Sequence, residues 1–357
     1  MVILAGWWLW VAVPGGVQLE RSYWVHASLA HSPLKKYWGA NFPPSEPPAR
    51  EEVRNACALL TGEYAANRLY LIYHQEIPLN EAKRVFTWWR EFCPPETEIV
   101  PTLVLEMYDQ EGTEVFLEEV LHDLGGFLRA DVNRSRIGVY DVYPGRNQGT
   151  GPGILAALFP HGTIRVGIQP EEELKAPFCA AVQDTWSGIC LGTTHEHWKQ
   201  EGFGRDLLRQ WVAVRNRSQL PIVWDLIAVA WDYSATEDGR FPGYDDADRN
   251  MPLAAGRNLL AAQEILSSAS KESFGGFSSD LFILHVNSKS DPHDGRDMSF
   301  YDVLKRGEIY RGYYAEPFRE IVTIYQALEQ GRDIMTLTLP SSLPEERKPS
   351  SGPEREP

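Results

Sequence analysis

Residues 68–109 read RLYLIYHQEIPLNEAKRVFTWWREFCPPETEIVPTLVLEMYD, and this stretch decides how the rest of the chain is read. Its two ends, RLYLIYHQEIP and EIVPTLVLEMYD, are apolar runs of strand length that break off into polar residues. Between them lies the helix-patterned segment LNEAKRVFTWWREF, with Asn80 placed as an N-cap and Cys93-Pro94-Pro95 as its stop. Strand, helix, strand is one β-then-α step of a parallel sheet.

The same step recurs on both sides. Upstream, SYWVHASLA (22–30) precedes a Pro-rich loop and the helix EEVRNACALLTGEYA (51–65). Downstream of the third strand come TEVFLEEVLHDLGGFLR, then RIGVYDVYPG with GTGPGILAALFPHG, and TIRVGIQP with EEELKA. The sixth strand is read in FCAAVQDTWSG (178–188), followed by the helix GRDLLRQWVAVRNRS. The seventh is PIVWDLIAVAWDYS with the helix MPLAAGRNLLAAQEILSSAS, and the eighth is DLFILHVNSKSD (280–291) with RGYYAEPFREIVTIYQALEQ. About eight such units, in strands rich in Val, Ile and Leu on both faces, predict an α/β fold: a single (β/α)8 TIM barrel with elaborated βα loops. An open doubly wound sheet is the competitor, but no Gly-rich phosphate loop follows the first strand. The barrel is expected to occupy residues 1–338. Residues 339–357, rich in Pro, Ser and charge, are expected to form a disordered tail because they hold too little apolar surface to offset ordering.

Composition narrows the partners. The 357 residues carry 34 Lys and Arg against 49 Asp and Glu, a formal net charge of −15. That balance supplies no counter-charge for phosphates, which argues against nucleic acid and against an anionic membrane surface. The apolar run VILAGWWLWVAV near the start is too short to span a bilayer and has no basic flank. It reads as an opening strand, with an unusual secretion signal as the alternative, so cytoplasmic and secreted locations both stay open. The sequons at Asn133 and Asn216 do not decide between them. Cys57, Cys93, Cys179 and Cys190 show no metal-like spacing and are read as ordinary thiols, a Cys179–Cys190 bridge being the other option. Nothing in the pattern asks for a cofactor or a resident metal, and the oligomeric state is not legible.

In a parallel barrel the loops after the strands' C-termini build the site, so the endings matter most. Strand 2 ends in His74, Gln75 and Glu76; strand 3 in Glu106, Tyr108 and Asp109; strand 4 in Tyr140, Asp141 and Tyr143. Strand 5 offers Gln169, strand 6 Gln183, Asp184 and Trp186, strand 7 Asp225 or Trp231 and Asp232, and strand 8 His285, Asn287 and Asp291. Carboxylates crowded at one rim repel, which raises at least one pKa and keeps that acid protonated as a donor. Aromatic rings stack on the apolar faces of sugars. The combination points to a neutral, polyhydroxylated substrate, an oligo- or polysaccharide, cleaved by paired carboxylates. Asp184, Asp141 and Glu106 are the catalytic candidates. Trp186, Tyr140, Tyr143, His74, Glu76, Gln183, Trp231, Asp232, His285 and Asn287 are the candidates for substrate binding.

With VYDVYP (139–144), VQDTWSG (182–188) and LPIVWDLIAVAWD (220–232) in place, the layout resembles the (β/α)8-barrel glycoside hydrolases. In the members that act on α-glycosides, an Asp after strand 4 is the nucleophile and an Asp after strand 6 the acid/base. The resemblance implies those roles for Asp141 and Asp184. It departs from the large clan with an Asn-Glu pair after strand 4 and a Glu after strand 7, since this chain has Tyr140-Asp141 and Asp225 or Asp232 there.

Two other classes compete. A metal-dependent barrel hydrolase would draw on His195 and His197, with His26 and His31 near strand 1. A catalytically silent barrel would bind saccharide or protein without turnover. Asp238, Asp245, Asp246 and Asp248 lie in an acidic loop whose spacing does not match an EF-hand, and it reads as a solvated lid.

Overall fold

Every strand of the sheet runs parallel to both of its neighbours, and the last pairs with the first. The computed structural model describes residues 19–29, 47–73, 79–104, 136–140, 161–166, 186–190, 222–226, 257–268, 274–281, 300–308 and 315–337. The strands are β1 (Glu20–His26), β2 (Arg68–Tyr73), β3 (Glu98–Val104), β4 (Arg136–Tyr140), β5 (His161–Val166), β6 (Trp186–Cys190), β7 (Ile222–Asp225) and β8 (Phe274–Asp280). They close into a barrel in sequence order, so the (β/α)8-type ring is present and the open sheet is excluded. The N-terminal apolar run and the C-terminal tail lie outside the described residues, and the ring is complete without them.

Alternation along each strand sorts residues into an interior row and a row facing the helices. On β1, Tyr23 packs its ring against Tyr64 and Tyr325 on the helical side, with centroids 6.1 and 5.9 Å away. Glu20, Ser22, Trp24 and His26 therefore line the interior. Register carries the same row to Arg68, Tyr70 and Ile72 on β2, and to Glu98, Val100 and Thr102 on β3. It continues through Gly138 on β4 and reaches Gly276 and Ser278 on β8. Two of these positions leave little or no room for a side chain. A Cβ on Gly138 would stand 2.4 Å from Thr102 Oγ1, and one on Gly276, at φ +133°, would stand 2.2 Å from the Glu20 carbonyl oxygen.

Five α-helices are described: α1 (Arg50–Ala58), α2 (Leu79–Phe92), α3 (Arg257–Ser268), α4 (Phe300–Arg306) and α5 (Ala315–Glu329). Glu52 opens α1 by accepting a hydrogen bond from the Ala49 N–H at 2.7 Å, and the helix passes into a π-helical turn at Leu59–Glu63. Helix α2 turns Ala82, Val85, Phe86 and Trp89 into the core, and the Trp89 indole donates to the Ala27 carbonyl just past β1 at 3.0 Å. Asn55 of α1 donates to the Lys305 carbonyl at the end of α4 at 2.9 Å, where Gly307 leaves the helix at φ +68°.

Four expectations need correction. Strand 6 is Trp186–Cys190 rather than the more apolar FCAAV run ahead of it, so Asp184 comes two positions before the strand instead of after it. Strand 8 is Phe274–Asp280, which ends where the apolar LFILHV run begins. Its glycines and serines do not look like a strand in isolation, but closure against β1 demands small interior residues there. Helix α2 begins at Leu79, which puts Asn80 inside it rather than at the cap. Finally, Cys57 and Cys93 are disulfide-bonded, with Cα atoms 5.5 Å apart, and are not ordinary thiols. The bridge ties α1 to the end of α2. The helices expected between β3 and β4, β4 and β5, β5 and β6, and β6 and β7 fall outside the described residues.

Candidate active site

The ring has two chemically different ends. At the N-terminal end, where β1, β2 and β3 begin, Glu20 accepts hydrogen bonds from Ser22 Oγ at 2.7 Å and Tyr70 OH at 2.6 Å, and pairs with Arg68. Arg68 also donates through Nε to Glu98 Oε2 at 2.8 Å. Burial alone would push the Arg68 guanidinium down, but Tyr70 and Glu98 beside it reverse that and hold it above its ordinary value. This is a polar plug with its charges paired, and conserving the barrel's floor is the role such an arrangement suits. Above it, Trp24 stacks on Tyr70 with centroids 4.0 Å apart and rings 10° from parallel. The two flat rings fill the middle of the barrel on the β1–β2 side.

The C-terminal end is the one that builds sites in parallel barrels. The strands arrive there at His26, Tyr73, Val104, Tyr140, Val166, Cys190, Asp225 and Asp280. His26 is fully buried, and the chain turns sharply after it through Leu29, which adopts φ +50° and donates its N–H to the His26 carbonyl at 2.9 Å. Register pairs Tyr140 with Arg165 on β5, and Arg165 with Ile189 on β6. Ile189 pairs in turn with Val223 on β7, Asp225 with Ser278 on β8, and Asp280 with Trp24 of β1.

Of the residues expected from sequence, Tyr140 and Trp186 lie within the described residues. Tyr140 closes β4 at the C-terminal rim, as expected. Trp186 opens β6, which sets it toward the opposite rim and in register with Gly162 of the outer row, so the expectation that it follows its strand is overturned. Asp141 is the next residue after Tyr140, Glu106 comes two after Val104, and His74 and Glu76 come one and three after Tyr73; all four lie outside the described residues. So do Tyr143, Gln183, Asp184, Trp231, Asp232, His285 and Asn287. The strand limits place Arg165 and Asp280, which sequence reasoning passed over, near the C-terminal ends of β5 and β8, together with His26, which was weighed solely as a metal ligand, and Asp225, weighed as one of two strand-7 endings. Their common signal is even spacing along a strand up to its last residues, which becomes usable once the strand limits are known. Among the described residues, no group of three or more His, Cys, Asp or Glu is arranged to hold a metal ion.

No known family model matches the sequence, and no curated protein matches it. Two solved structures of a GH113 beta-1,4-mannanase, one of them a complex, are similar in fold. Each is 10% identical, covering 87% of this chain and 99% of the mannanase, with TM-scores of 0.46 and 0.47. The barrel assignment itself stands on the observed ring of eight parallel strands.

Proposed function

We propose that the protein is a glycoside hydrolase that cleaves a glycosidic bond in a neutral oligo- or polysaccharide by a paired-carboxylate mechanism. The observation that carries this reading is the closure of the ring, which brings the ends of β4, β7 and β8 to one rim with Asp225 and Asp280 as closing residues and Asp141 next in the chain after Tyr140. A proton donor and an anionic carboxylate on one rim are the two parts that glycosidic cleavage needs. One protonates the departing oxygen; the other attacks the anomeric carbon or activates water. Tyr140, the last residue of β4, is of the aromatic kind that stacks on sugar faces. The acidic balance of the chain favours an uncharged glycan over a phosphorylated one.

The test is turnover of the full chain on a panel of chromogenic glycosides and neutral polysaccharides. The reading expects cleavage of at least one, with Asp141→Asn and Glu106→Gln each lowering kcat by about 100-fold or more where the residue transfers a proton or attacks carbon. Saccharide binding without turnover by the wild-type chain would replace the hydrolase with a silent, binding barrel.

A further inference from the structure

Among the described residues, the Cys57–Cys93 bridge is a covalent tie that the chain has to acquire from an oxidant. We propose that Cys57 and Cys93 are a site of oxidative maturation: a disulfide oxidant joins their thiols while the chain folds, and the finished protein resides in an oxidising compartment rather than in the cytosol. Cys93 comes between α2 and the start of β3, at the end of the barrel opposite the C-terminal rim, so the site is independent of the glycosidase reading.

The two cysteines occupy core positions of their helices. Val53, Ala56, Cys57 and Leu60 recur at i, i+3, i+4 and i+7 on α1 and the turn that continues it, and all are buried. Val85, Phe86 and Trp89 form the facing stripe on α2, and Cys93 extends it one residue past the helix end. At the exposed edge of the same contact, Arg50 pairs with Glu91 and sets its guanidinium 5.2 Å from the centre of the Phe92 ring. Cysteines in such stripes can serve as small apolar residues. A Cα separation of 5.5 Å, inside the range of about 4.4–6.8 Å that a disulfide spans, is what makes these two a bridge.

The bridge closes a loop of 36 residues that holds all of β2 and α2. A loop of that length makes the equilibrium for bridge formation roughly 600-fold more favourable in the folded protein than in the unfolded chain. Burial adds a kinetic condition. Exchange requires a thiolate to reach the sulfur it attacks, and Cys57 is fully buried with Cys93 only 6% exposed. The oxidant therefore has to act before α1 closes on α2, and the same closure then shuts out reductants. A redox switch in a reducing cytosol needs the reverse, a pair open to exchange in the folded state. A bridge made once and sealed belongs to an oxidising compartment.

The exchange balances. One cysteine thiolate attacks the oxidant's disulfide and expels one of its sulfurs; the second cysteine then attacks the mixed disulfide and expels the other. Two electrons pass to the oxidant, which leaves as two thiols carrying the two protons.

The proposal is tested by blocking free thiols with N-ethylmaleimide in intact cells that make the protein, then fractionating them and mapping the full chain without reduction. The expected result is a cross-linked Cys57–Cys93 peptide in essentially all of the folded chain, recovered from an oxidising compartment or the medium. Alkylated thiols at both positions, or bridged chain confined to the cytosolic fraction, overturn it. On the purified bridged chain, reduced glutathione should open the bridge at least ~100-fold more slowly in buffer than in urea, because reduction has to wait for the helices to part. Equal rates would show a bridge exchangeable in the folded state, a switch instead of a maturation step, and would overturn the proposal as well.

Discussion

Reducing the Cys57–Cys93 bridge should cost the protein several kilocalories of stability without touching the barrel rim. The two residues are 36 apart in sequence, and both are buried between α1 and the end of α2. Closing a loop of that length removes about 13 cal/mol/K of chain entropy from the unfolded state, or about 3.8 kcal/mol at 25 °C. The assay is urea unfolding followed by tryptophan fluorescence, with and without reductant, on the wild type and on a Cys57→Ser, Cys93→Ser double variant. Oxidised wild type should unfold at a higher midpoint than the reduced form, and the double variant should ignore reductant. Peptide mapping under non-reducing conditions should recover the two segments as one cross-linked species. A map in which Cys57 and Cys93 are both alkylated without reduction, or a midpoint that reductant does not move, would refute the reasoning.

Three further outcomes follow from described contacts. Arg68→Met leaves Glu20, which is 5% exposed, with no cation, and should destabilise by about 3 kcal/mol, read as a fall in the urea midpoint at unchanged slope. Gly276→Ala forces a Cβ into the Glu20 backbone and should lose more than about 3 kcal/mol or fail to fold, whereas Gly62→Ala, with nothing within 4 Å of its new Cβ, should stay within about 1 kcal/mol of wild type. Burial first, and Tyr64 second, hold the Tyr23 phenol well above its ordinary value of 10.0. The unfolded chain therefore loses that proton before the native protein does, so the associated stability is intact below pH 10 and declines as pH rises beyond it, by about 1.4 kcal/mol per unit. Tyr23→Phe should flatten the alkaline limb of a stability-versus-pH curve by that amount, and an unchanged limb would count against the buried phenol.

The fold was legible where propensity and burial agree. Beyond their opening Arg68 and Glu98, RLYLIY and EIVPTLV carry mostly large apolar or aromatic residues in both rows, so composition announces a strand covered on both faces. It misled where closure of the ring sets the composition instead. β8 carries Gly276 and Ser278 in its interior row because β1 leaves no space, and a strand chosen for smallness looks like a loop until its neighbour is known. The same error displaced β6: WSGIC is less apolar than FCAAV, yet it is WSGIC that pairs with β5 and β7. A strand shifted by eight residues puts Trp186 at its start instead of after its end and leaves Asp184 ahead of it in the chain. The disulfide was hidden differently, since Cys57 and Cys93 meet only because α1 and α2 pack side by side, a contact that spacing along the chain does not encode.

The distribution of charge along the barrel axis then separates stability from chemistry. Glu20, Arg68 and Glu98 begin their strands, and each carboxylate meets the guanidinium between them, so that end gains nothing from a ligand. At the other end, β7 and β8 close on Asp225 and Asp280. For the proposed reading, the formal net charge of −15 disfavours an anionic ligand and leaves a neutral glycan unopposed.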